Sequence, residues 1–319
     1  MRHRDPWGSV VTFNGPRGGA DSLVETAVCN LCGAERSRRL YRNFELDISR
    51  CQACGLVYAG PVRLSREETW ARYSDSFFWD EYLPANGVNG DTFDLEQFDA
   101  RYARVLGLLK PYRRLGTLLE IGSGAGFFLK AAARHSWNVL GLEVMKAGVE
   151  FSRSRLDVRV LPTSVEEAEL ASESYDVVAM FEVIEHLSDP QGVLRRAFDL
   201  LRPGGCLAIS TPNIESLSRW FLGPTWSVLS PAEHLYYFSE STLQAMLAAA
   251  GYEKVWFDRH YAGSGRHETL MPTHSFTPRS GRALGYRLIV GLLWPGALRR
   301  VQAWGRADGL HCLARRPLG

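Results

Sequence analysis

No apolar run in this 319-residue chain reaches the roughly 20 residues that a bilayer-spanning helix needs. The longest near the C-terminus, LGYRLIVGLLWPGAL at 284–298, carries Arg287 and is broken by Pro295. It reads as a buried or lid helix, with peripheral contact at a membrane surface left open. The opening MRHRDPWGSVVTFNGPRGGADS has no continuous apolar stretch, which argues against a secretory signal and leaves residues 1–23 as a flexible tail. With neither signal, the cytoplasm is the expected location. An excess of one charge is missing too: 37 Lys and Arg against 35 Asp and Glu leave a net charge of +2, with a pI near 8.2. That balance argues against a nucleic-acid partner held mainly through phosphates. The local run RSRRLYR at 36–42 reads as a solvated face. What remains, 45% hydrophobic and 23% charged residues, can bury a real core, and the length suits one large domain with a small accessory unit.

Cysteine is sparse, six in all, yet four fall into matched pairs: Cys29 and Cys32 in CNLCG, Cys51 and Cys54 in CQACG. The form C-x2-C-x18-C-x2-C is the spacing of a tetrahedral thiolate Zn2+ site, since a tight turn between paired cysteines aims both sulfurs at one ion. Gly33 and Gly55, one after each pair, relieve the backbone there. Four thiolates close the coordination shell, so the ion is expected to be structural and to hold a ribbon over 24–62. Cys206 and Cys312 sit in apolar segments and read as core. An aromatic stretch follows, giving a helical segment over 63–97 that covers a pocket or packs on the main sheet.

From about residue 98 the pattern turns to alternating strands and helices, the mark of an open α/β sheet. TLLEIG, NVLGLEV, DVRVLP, SYDVVAMFEV and CLAIST supply five strands in order, with an RPGG turn before the fifth. The turn LLEIGSGAGFF lacks the third glycine of a dinucleotide fingerprint: Gly122, Gly124 and Gly126 alternate, and Phe127 holds the sixth place. Glu120 ends the first strand, where a carboxylate suits a cationic amine rather than a pyrophosphate. Glu143 ends the second, placed to accept from ribose hydroxyls, a feature both cofactor classes share.

On LLEIGSGAG, GLEV, YDVVAMFEVIEHLSDP, LRPGGCLAIS and AGYEKV the chain resembles the class I S-adenosylmethionine-dependent methyltransferases, over roughly 98–260 and a final strand. The resemblance implies an α/β, Rossmann-like seven-stranded sheet ending in an antiparallel hairpin, for which YEKVWFDRHY and LHCLARRP are candidates. It implies a methyltransferase domain over 98–319 with an insertion at about 262–305 that shapes acceptor specificity. S-adenosylmethionine would contact Glu120, Gly122, Ser123, Gly124, Gly126, Glu143, Val144, Met145, Ser164, Val165 and Phe181.

The carboxyl end of the fourth strand carries Glu182, Glu185 and His186 as E-x-x-E-H. His186 is a residue type that takes a proton near neutral pH, and the trio is the expected catalytic group. The stretch is also similar to ubiquinone-pathway O-methyltransferases, which implies that the trio could hold Mg2+ or a similar ion. His234, Tyr236 and Tyr237, after the fifth strand, are candidates to line the acceptor pocket; the helix beyond is capped by Ser239 or Ser241, with Leu243, Met246 and Leu247 inward. The favoured function is methylation of a small molecule, O-methylation first, on a sugar-like, lipid-linked or aromatic acceptor. An RNA methyltransferase using the ribbon as a grip, and a non-catalytic interaction protein on the same fold, are the alternatives. No N-P-P-F/Y or D-P-P-Y segment of an adenine-amine methylator follows the fourth strand. Oligomeric state is not encoded in any of these patterns.

Overall fold

In the computed structural model the described residues are 3–4, 10–11, 24–26, 28–43, 46–60, 62–88, 92–259, 300 and 304–319. Of the expected tail, His3–Arg4 pairs antiparallel with Val10–Val11. The 284–298 helix, and the 262–305 insertion apart from Arg300, Trp304 and Gly305, lie outside the described residues.

The N-terminal part supplies β1 (Ser37–Asn43), β2 (Leu46–Cys51) and β3 (Val57–Ala59). Then come α1 (Leu95–Leu109), β4 (Thr117–Ile121), α2 (Phe127–Arg134), β5 (Asn138–Leu142), α3 (Lys146–Leu156) and β6 (Val160–Leu161). The second half runs through β7 (Tyr175–Phe181), α4 (Pro190–Leu200), β8 (Leu201–Pro212), α5 (Leu217–Leu222) and β9 (Tyr236–Tyr237). It closes with α6 (Glu240–Ala249), β10 (Glu253–Phe257) and β11 (Gly309–Arg315).

Seven strands form one sheet in the order β6-β5-β4-β7-β8-β11-β10, parallel except for β11, which runs antiparallel to both neighbours. The central strands read as nearly unbroken apolar runs because both their faces are covered. Side chains alternate between the faces. Leu119, Ile121, Val178, Met180, Leu207 and Ile209 meet α4 and α6 on one face. On the other, Leu118, Val177, Ala179, Cys206 and Ala208 meet α1 and α2. Both isolated cysteines, Cys206 and Cys312, are core residues as expected. Strand order reverses between β4 and β7, which opens a crevice at their carboxyl ends, where open α/β sheets bind ligands.

Two expected elements differ. The third strand shrinks to Val160–Leu161. RPGG is not a turn ahead of the fifth strand but part of β8, where Tyr175 faces Leu201 and Val177 faces Cys206. The register shift absorbs the extra residues as a bulge, with Gly204 at φ +77°.

Asp176 pins the start of β7. It is fully buried and accepts hydrogen bonds from the Arg114, Leu115 and Gly116 amides at 2.8, 2.7 and 2.6 Å and from the Arg202 guanidinium. Burial alone would raise its pKa, but Arg202 and the amides outweigh it and hold the carboxyl below its ordinary value. Its stabilisation is therefore complete above the ordinary carboxylate range and lost as pH falls through the depressed pKa. Asp176→Ala leaves Arg202 and three amides without their partner. Urea denaturation near neutral pH should show a loss of about 3–5 kcal/mol, the usual cost of breaking a buried ion pair.

The aromatic stretch packs against the main sheet. Its short helical turns, Asp75–Phe77, Phe78–Tyr82 and Leu83–Ala85, bury Phe78 and Leu83 in the sheet core and carry Tyr82 over the glycine turn. Among the described residues, no helix is long and apolar enough to cross a membrane.

Candidate functional site

Each cysteine pair turns tightly: the amide of Gly33 reaches Cys29 O at 2.7 Å, and that of Gly55 reaches Cys51 O at 3.1 Å. Gly33 and Gly55 both have positive φ, +71° and +82°. All four sulfurs lie within 4.8 Å of one another, with Cys29 Sγ 3.4 Å from Cys54 Sγ and Cys32 Sγ 3.6 Å from Cys51 Sγ. Zn–S bonds of about 2.3 Å in a tetrahedron separate sulfurs by about 3.8 Å, so this cluster fits Zn2+. Burial raises the Cys29 thiol to about 11, while amides of Cys54 and Ala53 outweigh burial at Cys51 and bring it to about 7.

At the crevice, β4 ends in Glu120, 4% exposed, whose Oε2 has no hydrogen-bond partner. Burial first, and then the charge of Glu143, push its carboxyl well above the ordinary value. Such a group favours an incoming cation. Glu143 at the end of β5 is equally buried, and its oxygens accept from Gly124 N at 2.7 Å and Met145 N at 2.8 Å. Burial raises its pKa and those amides pull it back. A Cβ on Gly122 would come within 2.6 Å of Val183, and one on Gly124 would collide with the Tyr82 hydroxyl, which accepts from Ala125 N at 3.3 Å. Glycine at these places lets Val183 and the Tyr82 hydroxyl pack directly against the turn. Buried hydroxyls of Ser123 and Ser164 also lack partners among the described residues. An orphaned carboxylate, free hydroxyls and a bare glycine turn fit the adenosyl cofactor that the resemblance implies.

Of the other expected cofactor contacts, Gly126 starts α2 in a left-handed conformation, Val144 is exposed beside the crevice and Met145 precedes α3. Phe181 stands edge-on to Phe128 with ring centroids 4.8 Å apart. Val165 is buried next to Ser164.

The E-x-x-E-H segment does not gather as one trio. Glu182 sits at φ +53°, a strained backbone for a non-glycine residue, and opens toward solvent at the end of β7. Its Oε1 accepts from Ser210 Oγ at 2.7 Å. Glu185, buried, accepts from Thr211 Oγ1 at 2.9 Å and leaves Oε1 unpartnered. These adjacent hydroxyls at the end of β8 thus hold one carboxylate each, and CLAIST carried no sign of it beyond two polar residues closing an apolar strand. His186 and His234 come together instead, ring centroids 4.7 Å apart. Burial, with His234 beside it, lowers His186 to about 3. Burial raises the Glu185 carboxyl, and the Glu182 charge raises it further.

Tyr236 and Tyr237, expected beside an acceptor, also serve the ribbon through their backbone. They form β9, which pairs antiparallel with Tyr58 and Val57 of β3 and so completes the four-stranded sheet of the ribbon. Both are buried, and Tyr236 OH donates to Ser188 O at 3.2 Å. The joint extends to the crevice: Ala59 N donates to Leu235 O at 2.8 Å, and Leu235 N to Glu185 O at 2.7 Å. Asn30, inside the first cysteine knuckle, donates to Asp189 Oδ1 at 2.8 Å and accepts from Gln191 N at 2.9 Å.

Residues 94–256 match the family model described as a methyltransferase domain. The ubiquinone biosynthesis O-methyltransferase of Ruegeria pomeroyi is 33% identical over 146 residues, 43% of this chain and 58% of that protein. That of Cereibacter sphaeroides is 33% identical over 155 residues, 46% of this chain and 62% of the relative. The chain thus spans less than two thirds of these relatives' length. A crystal structure of a SAM dependent methyltransferase from Archaeoglobus fulgidus superposes with a TM-score of 0.50 at 17% identity, over 76% of this chain and 100% of that one, a likeness of fold.

Proposed function

The chain belongs to the methyltransferase-domain family, and on that premise we propose that it binds S-adenosylmethionine at the β4–β5 crevice and methylates an oxygen of a small molecule. The observation that carries this reading is the pair of buried carboxylates flanking the glycine turn. Glu120, with an orphaned oxygen, is placed for the methionine amine, and Glu143 for the ribose hydroxyls. Ser164 offers its free hydroxyl to the adenine edge.

The cofactor, when bound, supplies an electrophilic methyl on a sulfonium whose departure leaves S-adenosylhomocysteine. What the chain must add is alignment and a place for the acceptor's proton. Glu182 is that place: it is exposed at the carboxyl end of β7, and Ser210 fixes one oxygen. Glu185, His186 and His234 form the wall behind it. The likeness to ubiquinone biosynthesis O-methyltransferases supports an oxygen of an aromatic acceptor, ahead of a sugar-like or lipid-linked one. Zn2+ at the four cysteines is structural in this reading and braces the acceptor side of the crevice.

Glu143→Ala removes the ribose contact and the two amides' partner at once. Isothermal calorimetry with S-adenosylhomocysteine should show affinity at least about 100-fold weaker, from the loss of roughly 3 kcal/mol of charged hydrogen bonding. Unchanged affinity in a folded variant contradicts the cofactor site.

A further inference from the structure

The stretch WARYSDSFF, residues 70–78, closes a turn ahead of the methyltransferase domain. The Arg72 and Tyr73 amides donate back to Thr69 O at 3.4 Å and Trp70 O at 2.9 Å, and Ser74 Oγ accepts from Phe77 N at 3.2 Å. Three side chains fasten this turn and the one after it to separate rims of the crevice. Asp75 Oδ1 accepts from Ala147 N at the start of α3 at 3.2 Å, Tyr82 OH accepts from Ala125 N in the glycine turn at 3.3 Å, and Arg72 pairs with Glu233 at 3.7 Å. The last pair is partly exposed and weak by itself. Three anchors on three elements nonetheless fix where the turn sits.

Tyr73 is the half-buried ring that these anchors hold beside His186. It stands edge-on to Phe77 at 5.7 Å and to His186 at 6.0 Å; His186 lies 4.7 Å from His234, and His234 lies 6.3 Å from Tyr237. A row of rings thus runs from the aromatic stretch to β9. Tyr73 and His186 meet at 85°, which makes a corner: a flat ring lying along one of them presents its edge to the other, and these are the two geometries aromatic pairs prefer. Burial, then the charges of Glu233, Glu185 and Glu143, raise the Tyr73 hydroxyl above its ordinary value, so it stays a phenol and is no base. We propose that Tyr73 is a specificity-determining residue of the acceptor site, its ring and that of His186 forming a corner that takes a planar aromatic acceptor and disfavours a saturated one. This rests on the proposed reading of the crevice as a small-molecule methyl-transfer site and adds what holds the acceptor there.

The test is calorimetric titration of the full chain, with and without saturating S-adenosylhomocysteine, using catechol and its saturated counterpart cyclohexane-1,2-diol. Wild type should bind catechol and prefer it at least about tenfold over the diol. Tyr73→Phe should keep that preference. Tyr73→Leu keeps apolar bulk without the flat face, and should weaken catechol binding at least about tenfold while S-adenosylhomocysteine affinity stays within about twofold and the melting temperature is unchanged. No catechol binding by wild type, undiminished catechol binding by Tyr73→Leu, or a parallel loss of both ligands in that variant overturns the proposal. Methyl transfer to catechol is followed separately: binding through Tyr73 without transfer would defeat the methyl-transfer reading and leave the corner standing.

Discussion

Stripping the ion from Cys29, Cys32, Cys51 and Cys54 should unfold β1 to β3 and, with them, loosen residues 230–238 and 185–191, while the core of the seven-stranded sheet stays protected. The effect is large because a small thiolate ribbon draws most of its order from the metal, with apparent binding free energies of about 10–16 kcal/mol in isolated zinc modules. It is transmitted because the ribbon is joined to the crevice by backbone. β9 is the fourth strand of the ribbon's sheet, and one residue before it Leu235 takes a hydrogen from Ala59 and gives one to Glu185. Asn30 does the same from the first knuckle to the start of α4. It stops short of global unfolding because Leu56 and Tyr58 share a core with the sheet strands β4, β7 and β8, which keep their own helices. Hydrogen exchange before and after chelation checks this: residues 233–238 should lose protection with the ribbon, and 117–121 should not. Protection of 233–238 that survives while 29–59 exchanges freely would show that the joint carries no load.

Glu182→Gln should cut methyl transfer by about 10²- to 10⁴-fold while S-adenosylhomocysteine affinity changes less than about twofold. Glu182 is held by Ser210 of the neighbouring strand β8. Gln keeps the shape and the acceptor oxygen for Ser210 but cannot take a proton. The wild-type profile should also carry the signature of a base: activity falls on the acid side as the Glu182 carboxylate takes up a proton. In Glu182→Gln that limb should flatten. The measurement is S-adenosylhomocysteine release with a catechol as probe acceptor. Full turnover by Glu182→Gln would remove the residue from the chemistry.

The sheet was legible in the sequence wherever local pattern and burial agree. The β4, β5, β7 and β8 segments are apolar runs because parallel strands are covered on both faces, and Glu120 and Glu143 stand out as acids ending such runs. The cysteine spacing was equally readable, since two residues between sulfurs is a local geometric demand. Other features were decided at long range. That Tyr236 and Tyr237 form a strand is decided by β3, nearly 180 residues earlier, which pairs with them. His234 looks like one loop histidine until two carbonyls turn its ring toward His186. Glu182 and Glu185 share a motif, but Ser210 and Thr211 on a neighbouring strand send them to different tasks. Such partners are set by tertiary contact, and no period in the chain announces them.

The account stands on what the crevice between β4 and β5 is built to hold. Metal-replete wild-type protein should be titrated with S-adenosylhomocysteine and, separately, with NAD+ in the calorimeter. One site per chain for the adenosyl thioether, with a dissociation constant on the order of 10 µM, and no heat from the dinucleotide is the predicted result. Folded protein that gives no heat with S-adenosylhomocysteine, or that binds the dinucleotide instead, contradicts it.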